Sequence, residues 1–335
     1  MPPTLPAVPD IDEDLAGSVA DRLLLVEDRL RESVATSDDM ARWTARHLMD
    51  AGGKRVRPML VLLAASLGDV DAPGVVDAGA LVELTHLASL YHDDVMDAAP
   101  TRRGAQSAHS IWGNNVAILT GDFLFARASA LSAGISTEAV RLHSHTFERL
   151  CLGQLHETVG PQEGEDPFDH YISVLADKTA SLLALAGELG ASQSGAPEGS
   201  AEIMRRYGEK VGVAFQLADD VLDLGSDHST SGKTPGTDLR DGVPTMPTLL
   251  VRRRAAEQDD PRTREIIKRL DGDLSSDAEL ATLVTLLRED PALAETQALA
   301  SRTADEAVEI LSELPEGSVR EALTTFTRSL VERRS

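Results

Sequence analysis

Residues 93–97 read DDVMD and residues 219–223 read DDVLD, two copies of one aspartate motif in a chain of 335 residues. On a helix, the first and last aspartates of each copy lie one turn apart on the same face, with roughly 5–6 Å between their Cβ atoms. Like charges at this spacing are destabilising unless a cation offsets the repulsion. Hard carboxylate oxygens suit Mg²⁺, which keeps several waters and bridges to substrate phosphates. One copy is commonly a solvated helix face, but two copies within apolar helices predict a metal site that lines a cavity.

Apolar residues recur at spacings of three and four around both motifs and along most of the chain, which is the pattern of helices. The predicted helices span residues 76–97, 136–157, 170–190, 199–224 and 291–313. No stretch alternates as a strand does, so we predict an all-α fold. Residues 1–14 are rich in proline and acidic residues, which predicts disorder, and residues 15–335 are predicted to form a single helical domain. Residues 225–244 lack a helical pattern, and a loop of that length is usually functional or disordered.

The composition limits the class of protein. The net charge is −23, from 32 basic and 55 acidic side chains, and such a surface repels nucleic acid and anionic lipid headgroups. An anionic substrate must therefore be held by local basic clusters or by metal. The single cysteine, Cys151, excludes an internal disulfide and is predicted to be a core residue. Because the first residues do not resemble a signal peptide and the longest apolar run, residues 59–67, is too short to span a bilayer, we expect a cytoplasmic protein without stable membrane insertion.

A basic, glycine-containing segment precedes the first motif. Residues 52–58 read GGKRVRP. Glycines let a backbone approach a ligand closely, and Lys54 and Arg57 then present cations near the start of a helix, which predicts a diphosphate site. Residues 232–238, GKTPGTD, resemble a P-loop only superficially, because they lack its spacing and follow no strand.

Further candidate phosphate ligands flank the first motif on both sides. Arg102 and Arg103 lie shortly after it, and with Mg²⁺ present they are expected to clamp two different phosphate groups. His86 lies seven residues before Asp93, which is close to two helical turns, so the two side chains share a face. That position makes His86 a candidate phosphate donor.

Taken together, in order and in spacing from about residue 52 to residue 247, these motifs resemble the trans-isoprenyl (polyprenyl) diphosphate synthase family. The resemblance implies an isoprenoid-synthase-type bundle of long helices around a central cavity, assembled as a homodimer. It implies about three Mg²⁺ ions per active site, with Mn²⁺ as a substitute. Asp93 and Asp97 would bind two of the ions, and Asp219 would hold the third with support from Asp223. The expected metal-binding set is the acidic residues of both motifs: Asp93, Asp94, Asp97, Asp219, Asp220 and Asp223.

The resemblance also implies the substrates and their contacts. The substrates would be isopentenyl diphosphate and an allylic diphosphate, whose C–O bond breaks to give a cation that the double bond of isopentenyl diphosphate attacks. The diphosphate of isopentenyl diphosphate would be held by Lys54, Arg57, His86 and Arg103. The allylic diphosphate would be held by Arg102, Lys178, Thr179, Gln216 and Lys233. The expected catalytic set is Asp93, Asp97, Asp219, Lys178 and Lys233.

Product length is read from the residues just before the first motif. In short-chain members of the resembled family a bulky aromatic residue four or five positions before the first aspartate blocks chain growth, whereas Ser89 and Ala88 are small. The resemblance is therefore to long-chain members, which make roughly six to ten isoprene units (about C30–C50). The alternatives are a short-chain (C15–C20) synthase and the catalytic subunit of a heteromeric synthase.

Related classes fit the motifs less well. A terpene cyclase normally carries an NSE-type second motif, and a squalene- or phytoene-type synthase uses pairs of DxxxD motifs. A non-catalytic subunit of a two-part synthase would be expected to lose aspartate or arginine positions, and none is lost here.

Overall fold

The computed structural model describes residues 12–225 and 235–332, and most of this chain is helical. The α-helices, in chain order, are α1 (Glu13–Ser33), α2 (Asp39–Asp50), α3 (Val56–Ala65), α4 (Val75–Met96), α5 (Ala108–Trp112), α6 (Asn114–Ile135), α7 (Thr137–Val159), α8 (Pro167–Leu175), α9 (Ser181–Gln193), α10 (Ser200–Gly225), α11 (Thr237–Arg240), α12 (Met246–Glu257), α13 (Pro261–Leu270), α14 (Asp277–Arg288), α15 (Pro291–Ile310) and α16 (Ser318–Val331). A π-helical turn, Ala176–Ala180, joins α8 to α9, and a 3-10 turn, Leu311–Glu313, follows α15. The strands β1 (Thr101–Arg102) and β2 (Ala105–Gln106) form one short antiparallel hairpin. The all-α prediction is confirmed.

The described residues group into two compact units that alternate along the chain. The first contains residues 12–150, 181–209 and 309–326. The second contains residues 151–180, 210–308 without the undescribed stretch, and 327–332. The single domain expected from the sequence stays a prediction.

The central helix of the first unit is α4, which packs against α1, α3, α6 and α9. Its apolar residues occur on all sides and not on one stripe, as expected for a buried helix, and Leu81, Leu84 and Leu87 have no exposed surface. Gly79 permits close packing on α1, because a Cβ at this position would lie 2.9 Å from Cγ2 of Val26. The packing of α4 therefore fixes the position of the first aspartate motif, which ends the helix.

The core of the second unit joins the C-terminal half of α10 to α12 and α14. Leu217 of α10, Met246 of α12 and Leu283 of α14 belong to one buried apolar cluster. The start of α12 is fixed by Thr245, whose backbone N–H donates to Oγ1 of Thr248 at 3.1 Å. This cluster holds the last turns of α10, which carry the second aspartate motif.

The predicted helices are found within a few residues of their expected bounds, and four details differ. The side chain of Asp12 caps α1 and accepts from the backbone N–H of Leu15 at 3.0 Å, so the ordered chain begins before residue 15. Residues 1–11 lie outside the described residues. The prediction that Cys151 is a core residue is wrong: Cys151 and its neighbour Leu152 are both exposed, so the apolar pattern of α7 is wider here than its buried face. The expected helix over 170–190 is divided by the π-helical turn, and the expected loop 225–244 contains α11.

One helix among the described residues, Asn114–Ile135, has the length and apolar composition of a membrane span. In its most apolar stretch of 18 residues, 39% is buried, and the helix packs on α4. Length and composition alone are weak evidence for a span, since core helices of proteins with no membrane segment share them.

Candidate active site

The first aspartate motif presents its three carboxylates in different directions. Asp93 is half-buried and Asp97, the residue that caps α4, is exposed. Asp94 has no exposed side-chain surface, and its Oδ1 accepts from Nε of Arg102 at 2.6 Å. Burial raises the pKa of the Asp94 carboxyl, while the neighbouring Arg102 opposes that rise. Asp94 was expected among the metal ligands; in the structure it is buried and binds Arg102, and its metal role stays untested.

The second of the two adjacent arginines after the motif lies in a tight hairpin turn. Arg103 (φ 54°) and Gly104 (φ 77°) are both left-handed and link β1 to β2, as a type I′ turn requires. Arg102 turns toward Asp94. Arg103 donates through Nη1 to the backbone oxygens of Leu48, at 3.1 Å, and Gly52. The two side chains thus contact different protein groups, and the expectation that they hold two different phosphate groups stays a prediction.

The basic segment 52–58 lies against Arg103. A Cβ at Gly53 (φ 144°) would lie 2.8 Å from Cζ of Arg103, so glycine is needed there both for the conformation and for the close approach. Lys54 is exposed and Arg57 is half-buried. Nε of Arg57 is buried and has no hydrogen-bond partner among the described residues. Burial lowers the pKa of Arg57 to about 10, and Arg103 adds to the effect.

His86 belongs to the same cationic cluster. Its side chain is half-buried, and its pKa is held well below the ordinary value, first by burial and then by the positive charges of Arg57 and Arg103. The imidazole is therefore neutral at physiological pH. As a neutral ring it can donate one N–H to a phosphate oxygen, which is compatible with the role expected from the sequence.

The second unit carries the other expected ligands of the allylic diphosphate. Lys178 and Thr179 lie in the π-helical turn, a feature frequent at functional sites. The Thr179 hydroxyl donates to Oε1 of Gln216 at 3.4 Å, and Nζ of Lys178 forms an ion pair with Glu157. The structure thus brings together three expected residues, Lys178, Thr179 and Gln216, with a fourth, Glu157, that sequence reasoning missed. Lys233 lies outside the described residues.

The second aspartate motif repeats the pattern of the first. Asp219 and Asp223 are half-buried, whereas Asp220 is buried. Oδ2 of Asp220 accepts from Oη of Tyr171 at 2.7 Å and from the backbone N–H of Met246 at 2.9 Å. Burial raises the pKa of Asp220 to about 8. Asp220 was also expected among the metal ligands; in the structure it binds Tyr171 and the start of α12.

The first and last carboxylates of each motif have the donor chemistry that suits a hard divalent cation. Within residues 12–225 and 235–332 there is no group of three or more His, Cys, Asp or Glu side chains placed to hold a metal ion together. Mg²⁺ commonly uses one or two carboxylates with waters and substrate phosphates, and not a cage built wholly from protein. The donor chemistry of Asp93 with Asp97, and of Asp219 with Asp223, is of that kind.

The two positions expected to control product length differ in their surroundings. Ala88 has no exposed surface, so it does not line an open space in this structure. Ser89 is half-buried, and its hydroxyl donates to the backbone oxygen of His86 at 2.9 Å. Of the two positions, only Ser89 keeps surface that a ligand could contact.

Sequence reasoning missed a buried ion cluster beneath the basic segment. Arg55, which lies inside that segment, forms salt bridges with Glu27 of α1 and Glu83 of α4. The missed signal was Glu83, a lone acidic residue in the otherwise apolar run of α4, since a charge in such a run needs a buried partner.

Comparison with known proteins gives a consistent result. The sequence model of the family described as polyprenyl synthetase matches residues 39–286. The chain is 42% identical to a nonaprenyl diphosphate synthase from Mycobacterium tuberculosis, over 99% of this chain and 98% of that protein. Its fold is similar to a polyprenyl synthase from Caulobacter crescentus complexed with calcium and isoprenyl diphosphate, with TM-score 0.87, 34% identity and coverage of 96% and 97%. It is also similar to a geranylgeranyl pyrophosphate synthase from Corynebacterium glutamicum complexed with the same ligands, with TM-score 0.84, 38% identity and coverage of 96% and 98%.

Proposed function

The chain belongs to the polyprenyl synthetase family and is a trans-polyprenyl diphosphate synthase, a prenyltransferase, and on that premise we propose which substrates, metals and residues it uses. The proposed reaction condenses isopentenyl diphosphate with an allylic diphosphate to give an all-trans polyprenyl diphosphate. The observation that carries the proposal is that Arg57 lies close to Arg103 and to Asp93 of the first aspartate motif, with its Nε buried without a hydrogen-bond partner among the described residues.

Divalent metal is the proposed cofactor, as Mg²⁺ with Mn²⁺ as a substitute and about three ions per site. Two structures of similar fold were obtained in complex with calcium and isoprenyl diphosphate. We assign Asp93 and Asp97 to one part of the metal set and Asp219 with Asp223 to the other. When bound, the metal offsets the charge that develops on the departing diphosphate. Asp94 and Asp220 hold neighbouring protein groups in this assignment and do not bind metal directly.

Isopentenyl diphosphate is assigned to the basic segment. Its diphosphate would accept from Lys54, from the unsatisfied Nε of Arg57 and from neutral His86, with Arg103 adding positive charge. A buried guanidinium donor without a partner costs free energy until an anion binds it. This arrangement therefore favours the binding of an anion such as diphosphate.

The allylic diphosphate is assigned to Arg102, Lys178, Thr179, Gln216 and Lys233. Arg102 is held by Asp94, so its remaining N–H groups are oriented before the substrate binds. The hydrogen bond of Thr179 to Gln216 and the π-helical backbone support a specific orientation of the side chains of Lys178, Thr179 and Gln216. The condensation forms a C–C bond and releases diphosphate, and the proton lost from the isopentenyl unit would pass to that diphosphate while these residues hold it and water is excluded.

The product is proposed to be long-chain. The relative that is 42% identical is a nonaprenyl diphosphate synthase, and Ser89 leaves room one turn before Asp93. The alternative is a short-chain product, which the similarity to a geranylgeranyl pyrophosphate synthase supports. Purified protein would be incubated with isopentenyl diphosphate, Mg²⁺ and allylic starters of three lengths, and the dephosphorylated products separated by chromatography. Products of fewer than about six isoprene units from every starter would reject the long-chain assignment.

We propose a cytoplasmic homodimer. Two adjacent apolar residues of α6 are exposed, Ile118 by 40% and Leu119 by 66%, and exposed apolar surface can mark an interface. Light scattering on the purified chain should give twice the monomer mass, and Leu119→Glu should reduce it. A monomer that is inactive until a second polypeptide is added would instead favour the catalytic subunit of a heteromeric synthase.

A further inference from the structure

A buried ion cluster of Arg55, Glu27 and Glu83 lies directly beneath the basic segment. Arg55 is 4% exposed, Glu27 4% and Glu83 1%. Nε and Nη2 of Arg55 donate to the Glu27 carboxylate, and Nη1 donates to Oε1 of Glu83 at 3.0 Å. Glu27 lies on α1 and Glu83 on α4, so one side chain connects the segment to two helices of the first unit.

Arg55 uses every donor that a guanidinium has. Its two remaining N–H groups donate to the backbone oxygen of Met49 at 3.2 Å and to that of Gly52 at 3.3 Å. Met49 lies in the last turn of α2 and Gly52 starts the basic segment. The five bonds therefore fix both the carboxylates below and the peptide groups that lead into Lys54. A lysine has three donors on a single nitrogen and cannot reproduce this fork.

The backbone of Arg55 needs these bonds. Its φ is 50°, in the left-handed region, which costs a residue with a Cβ roughly 1–2 kcal/mol. Arg55 is also the residue that caps the start of α3, and no side chain caps that helix start. The segment thus takes a conformation that its local sequence does not favour, and the buried side chain of Arg55 maintains it.

The two carboxylates of the cluster are shared among several arginines. Arg55 and Arg103 carry two positive charges, Glu27 and Glu83 carry two negative ones, and Nη2 of Arg103 lies 3.8 Å from Oε1 of Glu83. Nη2 of Arg31 also lies 3.8 Å from Oε2 of Glu27, so the two carboxylates face three guanidinium groups. Arg57 adds a further positive charge near Glu83 and Arg103, and its Nε is buried without a hydrogen-bond partner in the described part of the chain.

We propose that Arg55, with Glu27 and Glu83, is a positioning residue that orients Lys54 and Arg57 for the diphosphate of isopentenyl diphosphate; this rests on the proposed function. Arg55 itself touches no substrate, because its five donors are taken by protein. Its removal should release the backbone of the segment and let Glu83 pair with Arg57. Binding of isopentenyl diphosphate should weaken, while binding of the allylic substrate and the chemical step should not.

The test is steady-state kinetics on the full-length Mg²⁺-loaded enzyme carrying Arg55→Lys. The KM for isopentenyl diphosphate should rise about tenfold or more, the range expected when a charge-assisted contact is lost. The KM for the allylic diphosphate and kcat at saturation should stay within about threefold. Glu27→Gln keeps the size of the side chain and should shift the same KM in the same direction, so it serves if Arg55→Lys does not fold.

The matched control is Arg29→Lys. Arg29 also joins α1 to α4, through an ion pair to Asp77 at 2.5 Å, and among the described residues its hydrogen bonds and ion pairs go to Asp77 and Glu32, outside the basic segment. The Arg29→Lys substitution should leave the KM for isopentenyl diphosphate and the KM for the allylic diphosphate unchanged. A purely structural role for Arg55 would lower kcat and thermal stability in Arg55→Lys and Glu27→Gln without a selective change in the KM for isopentenyl diphosphate. That outcome would overturn the proposal.

Lys54→Ala, measured in the same assay, tests the assignment of isopentenyl diphosphate to the basic segment separately from the positioning role of Arg55. An unchanged KM for isopentenyl diphosphate in Lys54→Ala would reject the substrate assignment itself. A raised KM in Lys54→Ala with an unchanged KM in both Arg55→Lys and Glu27→Gln would reject only the positioning role.

Discussion

Replacement of Asp94 by asparagine separates a positioning role from a metal role at the first motif. The substitution keeps the shape of the side chain and one oxygen acceptor but removes the charge that faces Nε of Arg102 at 2.6 Å. A hydrogen bond between charged groups contributes about 1.5–3 kcal/mol, and each 1.4 kcal/mol is a factor of ten. Because Arg102 is assigned to the allylic diphosphate, Asp94→Asn should raise the KM for that substrate roughly tenfold to a hundredfold.

The assay varies the allylic diphosphate at saturating isopentenyl diphosphate, and then varies Mg²⁺ at saturating substrates. Asp94→Asn should leave the Mg²⁺ concentration for half-maximal rate within about threefold, since in the structure the carboxylate points away from the motif's exposed side. Asp93→Asn is the matched comparison and should raise the Mg²⁺ requirement and lower kcat by orders of magnitude. If Asp94→Asn raises the Mg²⁺ requirement as strongly as Asp93→Asn does, Asp94 is a metal ligand and the reasoning from its burial is refuted.

Three further outcomes are expected. Asp219→Ala should lower turnover by orders of magnitude with the fold intact by circular dichroism, and full activity in excess EDTA would contradict a metal role. Ser89→Phe should shorten the main product, by chromatography, whereas Ala88→Phe should chiefly lower the free energy of unfolding by about 1–3 kcal/mol, because Ala88 is fully packed. Burial lowers the pKa of His143 from 6.5 to about 4, so its contribution to stability is complete above pH 6.5 and is lost as pH falls toward 4. Denaturant titrations should show that wild type loses up to about 3 kcal/mol more than His143→Gln over that interval, and equal losses would show that the fold does not lower the pKa of His143.

Much of the fold could be predicted because its signals are local. Long apolar periodicity fixed the bounds of α4 and α10 to within a residue or two. The orientation of the second aspartate in each motif could also be predicted from helix geometry. Adjacent residues on a helix point about 100° apart, so Asp94 and Asp220 must face away from the aspartates that precede them. What the spacing could not supply was the partner. Arg102 is close in sequence to Asp94, but Tyr171 is 49 residues from Asp220.

The π-helical turn and the exposure of Cys151 depended on packing that no window of sequence contains. Apolar periodicity over 170–190 continues through Lys178 and Thr179, so it gives no sign that the hydrogen-bond register changes there. The backbone of Gly153 lies against that of Lys178, since a Cβ at Gly153 would lie 3.0 Å from the Lys178 Cα. Contact between α7 and this turn is therefore a tertiary constraint, and it can override the local preference for a continuous helix.

Residues with a strained backbone indicate that the cationic part of the candidate site is preorganised. Among the described residues, the non-glycine positions with positive φ are Arg55, Ala98 and Arg103, and all three border the cationic half of the candidate site. Ala98 closes α4 in the geometry that usually takes glycine, with its N–H donating to Val95 and the next N–H donating to Asp94 at 3.0 Å. Residues in this region cost free energy and persist only where the surroundings determine them. Since each of these turns directs the chain at an assigned ligand, the conformational cost is met in folding, before any substrate binds.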